Sequence, residues 1–515
     1  MPVNEAEAPQ VNTNRSSSGN AVSMHDALPD FVCGVLLIVS ISMWFAAIRA
    51  PLWLDETISV WQINKGFWNI LSRQGGLSFP LYSYILWLST KILGTGEIAL
   101  RIPSILAMLG AVYLLYRTAR EFFDRDVAII TAIIFSIHPL VIFLSIDVRP
   151  YAFAALAINA ALFTLARSRQ NQSPWLAAIF GILAACIVYF HFLYAVILPV
   201  LAVCFVLFNA GPGKKLIRQS AIALGAFTLA FLPVIPGILY MFRTSGTHVF
   251  DLRPTIKDLG WTLATDLLIL SVVGVLLVAA ATRKFDIDTR IDGSTLLLCL
   301  STGLVPLLIL FVVSVNTPLH IFVQRYRLVA VPGIALAWGL LISRVNSRWL
   351  RALFCLALVV PTAYSYLKSP DSHKHGYTWK YALELAEKTA SADNATVLIC
   401  SDLPESNYMS MPTGEAVKDS NLFSPLTYYK LSVPVIGLPR ALNEEAMNIG
   451  ADFLKGAEHK HFVFVAFDAS FATANWLVDK VPLTHRVQIL GYPDEVGVVD
   501  FVPYSESPST PPAQQ

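Results

Sequence analysis

The chain of 515 residues carries 37 basic and 35 acidic side chains, so 14% of it is charged and 55% hydrophobic, where an average soluble protein is about 25% charged. The deficit is uneven: residues 1–369 sum to a net charge of +10 and residues 370–515 to −8. Soluble domains are thereby excluded over the first two-thirds, and a nucleic-acid partner over the whole, because no basic face or arm exists on the scale that phosphate neutralisation requires.

Residues 1–29 are polar and rich in Ser, Asn, Ala and Pro, and read as a disordered cytoplasmic tail. They lack the basic stretch, short apolar run and small-residue site of a cleaved signal peptide, so the first apolar run reads as a retained anchor. Residues 30–369 form the transmembrane part. A span needs about 20 apolar residues, and eleven runs qualify, near 31–48, 97–117, 127–145, 150–167, 175–191, 193–209, 218–240, 262–281, 294–315, 328–343 and 349–367. The least secure pair is 175–209, broken only by Tyr189-Phe190-His191-Phe192.

Five short connections on one side of these spans are all basic (Arg117, Arg120 and Arg125; Arg167 and Arg169; Lys214, Lys215 and Arg218; Arg283, Lys284 and Arg290; Arg344, Arg348 and Arg351). The positive-inside rule makes that side cytoplasmic. The long segment 49–96 then lies outside. An odd number of spans puts residues 370–504 outside too, as a small periplasmic or lumenal α/β domain. Within it, helical spacing covers Tyr377–Ala390, and Thr396–Cys400 and Phe462–Phe467 read as strands. Residues 505–515, rich in Pro, Ser and Gln, read as disordered. The six cysteines show no metal-ligand spacing and read as small buried residues.

Polar groups gather on the outer side. Asp55-Glu56 follows the first span directly and opens a stretch with apolar residues at Ile58, Trp61, Phe67, Ile70 and Leu71, which reads as an interfacial amphipathic helix. A carboxylate there is either a general base towards a hydroxyl or a solvated helix-start acid. The turn Ser145-Ile146-Asp147-Val148-Arg149-Pro150-Tyr151 brings a carboxylate and a guanidinium to the outer face. They form a phosphate clamp or an ion pair that fixes the turn. Gln324-Arg325-Tyr326-Arg327 enters a span from the outer side against the charge bias, either snorkelling to headgroups or binding a lipid phosphate. His138 and His191 read as helix-end histidines rather than ligands, and Asp266 as a carboxylate about one turn inside a span.

Taken together, Asp55-Glu56, Phe79-Pro80-Leu81-Tyr82, Gly94 to Ser104 with Glu97 and Arg101, Ser145 to Tyr151, and Arg325-Tyr326 with Pro332 make the chain, over roughly residues 31–345, resemble the integral-membrane glycosyltransferases of the C-type fold. Within them it resembles the bacterial branch of the protein O-mannosyltransferase and lipid A aminoarabinose transferase superfamily. Ser78 and Phe79 stand where that family usually has a histidine, and Asp147 where it has a glutamate. The resemblance implies an α-helical membrane domain that transfers a sugar, with inversion, from a polyprenyl-phosphate donor to a hydroxyl of a protein, lipid or glycan acceptor. It implies Asp55 as catalytic base and Arg149, Arg325 and Tyr326 at the donor phosphate. Glu56, Asp147, Tyr151 and Tyr82 would support or orient them, with a divalent cation as an open possibility. The competing readings are a lipid or glycan transporter or flippase, and a polysaccharide polymerase or ligase using a pyrophosphate donor. A transporter should place ionisable groups near the bilayer midplane, and here they cluster at one face.

Overall fold

The computed structural model describes residues 24–73, 80–209, 213–244, 253–281, 292–368, 378–457, 459–467, 471–481 and 484–504. Most of the N-terminal tail, the 505–515 tail, Ser78, Phe79, Tyr377 and the basic residues Arg283, Lys284 and Arg290 lie outside them. The membrane part is all helical. In chain order it comprises α1 (Met24–Ser42), α2 (Leu54–Ile63), α3 (Pro80–Leu93), α4 (Glu97–Phe122), α5 (Arg125–Ile137), α6 (Pro139–Ser145) and α7 (Tyr151–Gln170). There follow α8 (Pro174–Phe190), α9 (Leu198–Phe208), α10 (Gly213–Phe231), α11 (Ile235–Thr244), α12 (Ile256–Leu263), α13 (Asp266–Ala281), α14 (Gly293–Asn316), α15 (Val331–Ser343) and α16 (Arg348–Lys368).

Among the described residues, seven helical stretches are long and apolar enough to cross a membrane, or nine if each of two bent pairs counts as one span. The shorter apolar stretches Pro174–Phe190 and Phe192–Phe208 occupy the places of the two least secure predicted spans. Each of the eleven predicted runs thus falls on a helical segment.

The bends follow from the sequence. Between α5 and α6 the axis turns by 66° at His138-Pro139. Pro139 has no N–H to donate into α5 and suits the first position of a new helix, while His138 Nδ1 accepts the Leu140 N–H at 3.2 Å. Short α6 then ends at Ser145, and Pro150 starts α7, which leaves the Asp147–Arg149 turn between two helix ends. Helices α14 and α15 cross backbone to backbone at Gly303 and Gly333, where a Cβ on Gly333 would overlap Gly303 and Thr302. That crossing fixes where the preceding Arg325-Tyr326 segment emerges. At the opposite end of the bundle the basic connections are held by Asp30–Arg125 (3.3 Å), Asp126–Arg351 (2.6 Å) and Glu121–Arg167 (3.2 Å) ion pairs.

The C-terminal part adds α17 (Lys380–Ala390), β1 (Thr396–Cys400), α18 (Ser424–Tyr428), β2 (Val435–Leu438), α19 (Glu444–Lys455), β3 (Phe462–Phe467), α20 (Phe471–Lys480), β4 (His485–Gly491) and β5 (Val496–Pro503). The sheet order is β2-β1-β3-β5-β4, with β2, β1 and β3 parallel and β5 antiparallel to both its neighbours. Strands β1 and β3 are apolar on both faces because helices and loops cover both sides. The predicted helix and both predicted strands are present, as part of a larger sheet.

Beside β3, His461 is held between two carboxylates, with Nδ1 2.9 Å from Asp393 and Nε2 2.6 Å from Asp500. Burial lowers the imidazole pKa, but the hydrogen bonds and charges of Asp500 and Asp393 outweigh it and the net shift is upward. A pKa raised on folding gives stability that is fully present below the ordinary value of about 6.5 and disappears as pH rises through the folded-state value. His461→Gln should therefore increase amide exchange in β3 and β5 at pH 6 by an amount equivalent to about 1 kcal/mol, since Asp393 is half exposed and screened. The gap from wild type should close towards pH 9.

Candidate active site

The site is built on a buried ion pair. Trp53 caps α2 in an extended conformation, and Glu56, in the first turn, reaches back to accept the Trp53 N–H at 3.2 Å. Arg101 stands one turn into α4 and meets Glu56 at 2.8 Å, with both side chains almost wholly removed from solvent. The remaining Arg101 donors go to the carbonyls of Ile48 (2.9 Å), Ala50 (2.5 Å), Pro51 (3.3 Å) and Ile146 (3.1 Å), and the Val148 N–H donates to Glu56 at 2.9 Å. One guanidinium thus joins the end of the first span, the start of α2 and the Asp147 turn. Burial raises the Glu56 carboxyl pKa, and Arg101 with the Val148 and Trp53 N–H groups pulls against it.

On this frame Asp55 is the next residue of α2. Its side chain is 15% exposed and its Oδ2 lies 3.2 Å from Arg325 Nη1, a charge contact without hydrogen-bond alignment. Arg149 Nη1 donates to the Asp55 carbonyl at 3.2 Å and lies 3.5 Å from Ser59 Oγ. The Nε groups of Arg149 and Arg325 are both buried without a hydrogen-bond partner. Burial works against the Arg149 charge, but Asp55, Tyr151 and Asp147 outweigh it, so the guanidinium stays charged. Asp147 is fully buried and accepts from Trp53 Nε1 at 3.2 Å. Burial, then the nearby Glu56 charge, pushes its pKa well above the usual carboxylate range. Two guanidiniums, Arg149 and Arg325, thus approach Asp55, an arrangement suited to an anion.

Aromatic side chains line it. Tyr151 is buried at the start of α7, and Tyr82 packs edge-on to Phe153 at 5.6 Å. Burial, then Asp147, raises the Tyr82 pKa, which keeps its hydroxyl protonated. The Arg325 guanidinium lies 5.4 Å from the Tyr326 ring centroid, and Tyr194 donates to the Arg325 carbonyl at 2.7 Å.

All eight sequence-derived residues (Asp55, Glu56, Tyr82, Asp147, Arg149, Tyr151, Arg325 and Tyr326) therefore fall in one region, although about 270 residues separate the first segment from the last. Three details differ from expectation. Helix α2 does not lie free on the membrane surface: Glu56, Thr57, Ser59, Val60 and Ile63 are buried, and α18 packs on it. Glu56 is engaged by Arg101 rather than turned towards the arginines of the site. His191, read as a helix-end histidine, sits in the site, with its ring 4.8 Å from Tyr326, 5.1 Å from Tyr194 and 5.4 Å from Tyr151. Its Nδ1 is buried without a partner. The available signal was its place in the only polar break between two apolar runs.

Arg327, by contrast, turns to α12, donating to the Asp258 carbonyl at 3.2 Å and to Thr262 Oγ1 at 2.9 Å. His138 also meets the Thr262 carbonyl, at 3.4 Å. Among the described residues no group of three or more His, Cys, Asp or Glu is placed to hold a metal ion.

The sequence profile of the dolichyl-phosphate-mannose-protein mannosyltransferases matches residues 78–240. That segment contains Tyr82, Asp147, Arg149 and Tyr151; Asp55 and Arg325 lie outside it. No curated protein matches the chain in sequence. Among solved structures, the chain is similar to ArnT from Cupriavidus metallidurans bound to undecaprenyl phosphate, at 10% identity and a TM-score of 0.55, over 91% of this chain and 97% of that one. The apo state of the same protein matches at 10% identity and a TM-score of 0.51, over 92% and 98%. The fold is the C-type glycosyltransferase fold with a C-terminal sheet domain.

Proposed function

We propose that this chain, with a membrane glycosyltransferase fold and a mannosyltransferase-like segment at its centre, moves a sugar from a polyprenyl-phosphate donor to an acceptor hydroxyl. The observation that carries the reading is the convergence of Asp55, Arg149 and Arg325 within hydrogen-bond or ion-pair distance at one end of the bundle. The matched profile is named for a dolichyl-phosphate sugar donor, and the similar structure holds undecaprenyl phosphate. Both are polyprenol monophosphates, and a site with two guanidiniums and one carboxylate suits such an anion. The basic connections at the far end support a site on the outer face, with the N-terminus in the cytoplasm and the sheet domain in the periplasm. The bacterial inner membrane is the proposed location.

In the proposed reaction Asp55 takes the proton of the acceptor hydroxyl, whose oxygen attacks the anomeric carbon of the sugar. The bond from that carbon to the phosphate oxygen breaks, its electron pair leaves with the phosphate, and polyprenyl monophosphate is released. A single displacement inverts the anomeric carbon. Arg149 and Arg325 stabilise the negative charge that builds on the leaving phosphate. Arg325 also accounts for the resting state, because it neutralises Asp55 until a phosphate takes over the guanidinium and frees the base.

The test is binding of the sugar-free lipid. Undecaprenyl phosphate at 100 times its Kd should stabilise the detergent-solubilised protein by about 2.7 kcal/mol, seen as a rise in melting temperature. Arg149→Ala and Arg325→Ala should each remove most of that rise. An equal rise in wild type and both variants would assign the phosphate to another place.

A further inference from the structure

Helix α2 carries Asp55, yet a large share of what holds α2 comes from the outer domain. At its leading end the Tyr429 hydroxyl accepts the Leu52 N–H at 2.7 Å and donates to Glu97 at 2.9 Å, while Lys380 reaches the same carboxylate at 3.3 Å. In the middle, Thr57 Oγ1 and Ser424 Oγ are 2.9 Å apart. At the trailing end Trp61 Nε1 donates to the Asp419 carbonyl at 2.6 Å. The Asp419 carboxylate takes Arg73 Nη2 on both oxygens at 2.8 Å and Lys65 at 3.2 Å. A single outer-domain segment, 419–429, therefore grips the catalytic-base helix at both ends and in its middle.

We propose that residues 419–429 are a positioning clamp for Asp55, with Tyr429 and Asp419 as its two positioning residues. Tyr429 ties the backbone three residues before Asp55 to Glu97, the first residue of α4, and Arg101 four residues further on fixes Glu56. The hydroxyl thus couples the start of α4 to the segment that leads into α2, the helix that carries Asp55 to Arg325. Misplacing a reacting group by about 1 Å costs on the order of 100-fold in rate, so a clamp acting on the base alone changes turnover rather than donor binding. The outer domain is then an integral part of the site and not a separable cap. Its catalytic consequence rests on the transfer reading above, while the clamp itself does not.

The test uses the full chain in detergent with Tyr429→Phe and Asp419→Asn. Without any substrate, amide exchange in residues 54–63 should quicken at least fivefold in each variant, while α7 stays at the wild-type rate. With a polyprenyl-phosphate sugar, kcat should fall at least tenfold and the donor KM stay within about twofold. Arg73→Asp combined with Asp419→Arg should recover most of the turnover lost in Asp419→Arg alone. Unchanged α2 exchange in both variants overturns the clamp, and faster exchange with unchanged kcat overturns its positioning role. Faster exchange in a chain whose wild type transfers no sugar upholds the clamp and removes the transfer reading instead.

Discussion

Asp55→Asn is expected to reduce sugar transfer by about 10²- to 10⁴-fold, the range of a lost general base, while leaving affinity for polyprenyl phosphate at or above that of wild type. The side chain keeps its size and place in the first turn of α2 and loses only the capacity to take a proton. Because Asp55 lies 3.2 Å from Arg325, removing its charge releases a guanidinium to the phosphate, so donor binding should not weaken. Side-by-side measurement of kcat and of lipid-induced stabilisation checks both halves. A parallel loss of both would mean that Asp55 holds the site together instead of reacting in it.

The largest expected loss of stability comes from Arg101. Breaking a buried pair leaves a bare charge in a low dielectric and costs roughly 3–5 kcal/mol, and here Arg101 also satisfies four backbone carbonyls. Arg101→Met should therefore lower the melting temperature strongly and loosen the segments 48–56 and 146–148 together. The double variant Glu56→Leu with Arg101→Met should be less destabilised than the sum of the two single variants, because the uncompensated charge is gone. Thermal denaturation of the three variants measures that coupling. Strict additivity would contradict the assignment of the pair as the joint of the site.

Much of this was legible in the sequence because hydropathy is a one-dimensional signal. Each of the eleven apolar runs falls on a helical segment, and Pro150 marks where α7 begins, whereas the bend at Pro139 lies inside a run that reads as one span. The motif residues Asp55, Asp147, Arg149 and Arg325 were visible as charges where a membrane chain has few. What the sequence hid was pairing. Glu56 read as a residue that orients the site arginines, and the arginine it meets in the structure is Arg101, from 45 residues away. Asp419, Ser424 and Tyr429 sit in a polar tail without periodicity, so their grip on α2, more than 350 residues earlier, left no mark in either segment. Strands β4 and β5 escaped notice because His485–Gly491 is half exposed and β5 lacks an alternating pattern.

The reaction at this site is defined by what happens at the donor's anomeric carbon. The most direct measurement supplies purified protein in lipid with α- and β-anomers of isotope-labelled polyprenyl-phosphate sugars and a membrane extract as acceptor. The lipid product and the anomeric configuration of the labelled glycoside are then followed. Single displacement at the Asp55–Arg149–Arg325 site predicts that one anomer is consumed, that polyprenyl monophosphate appears in equal amount, and that the glycoside has the inverted configuration, with the Asp55→Asn protein inactive. A product of retained configuration, or turnover only with pyrophosphate-linked donors, would contradict it.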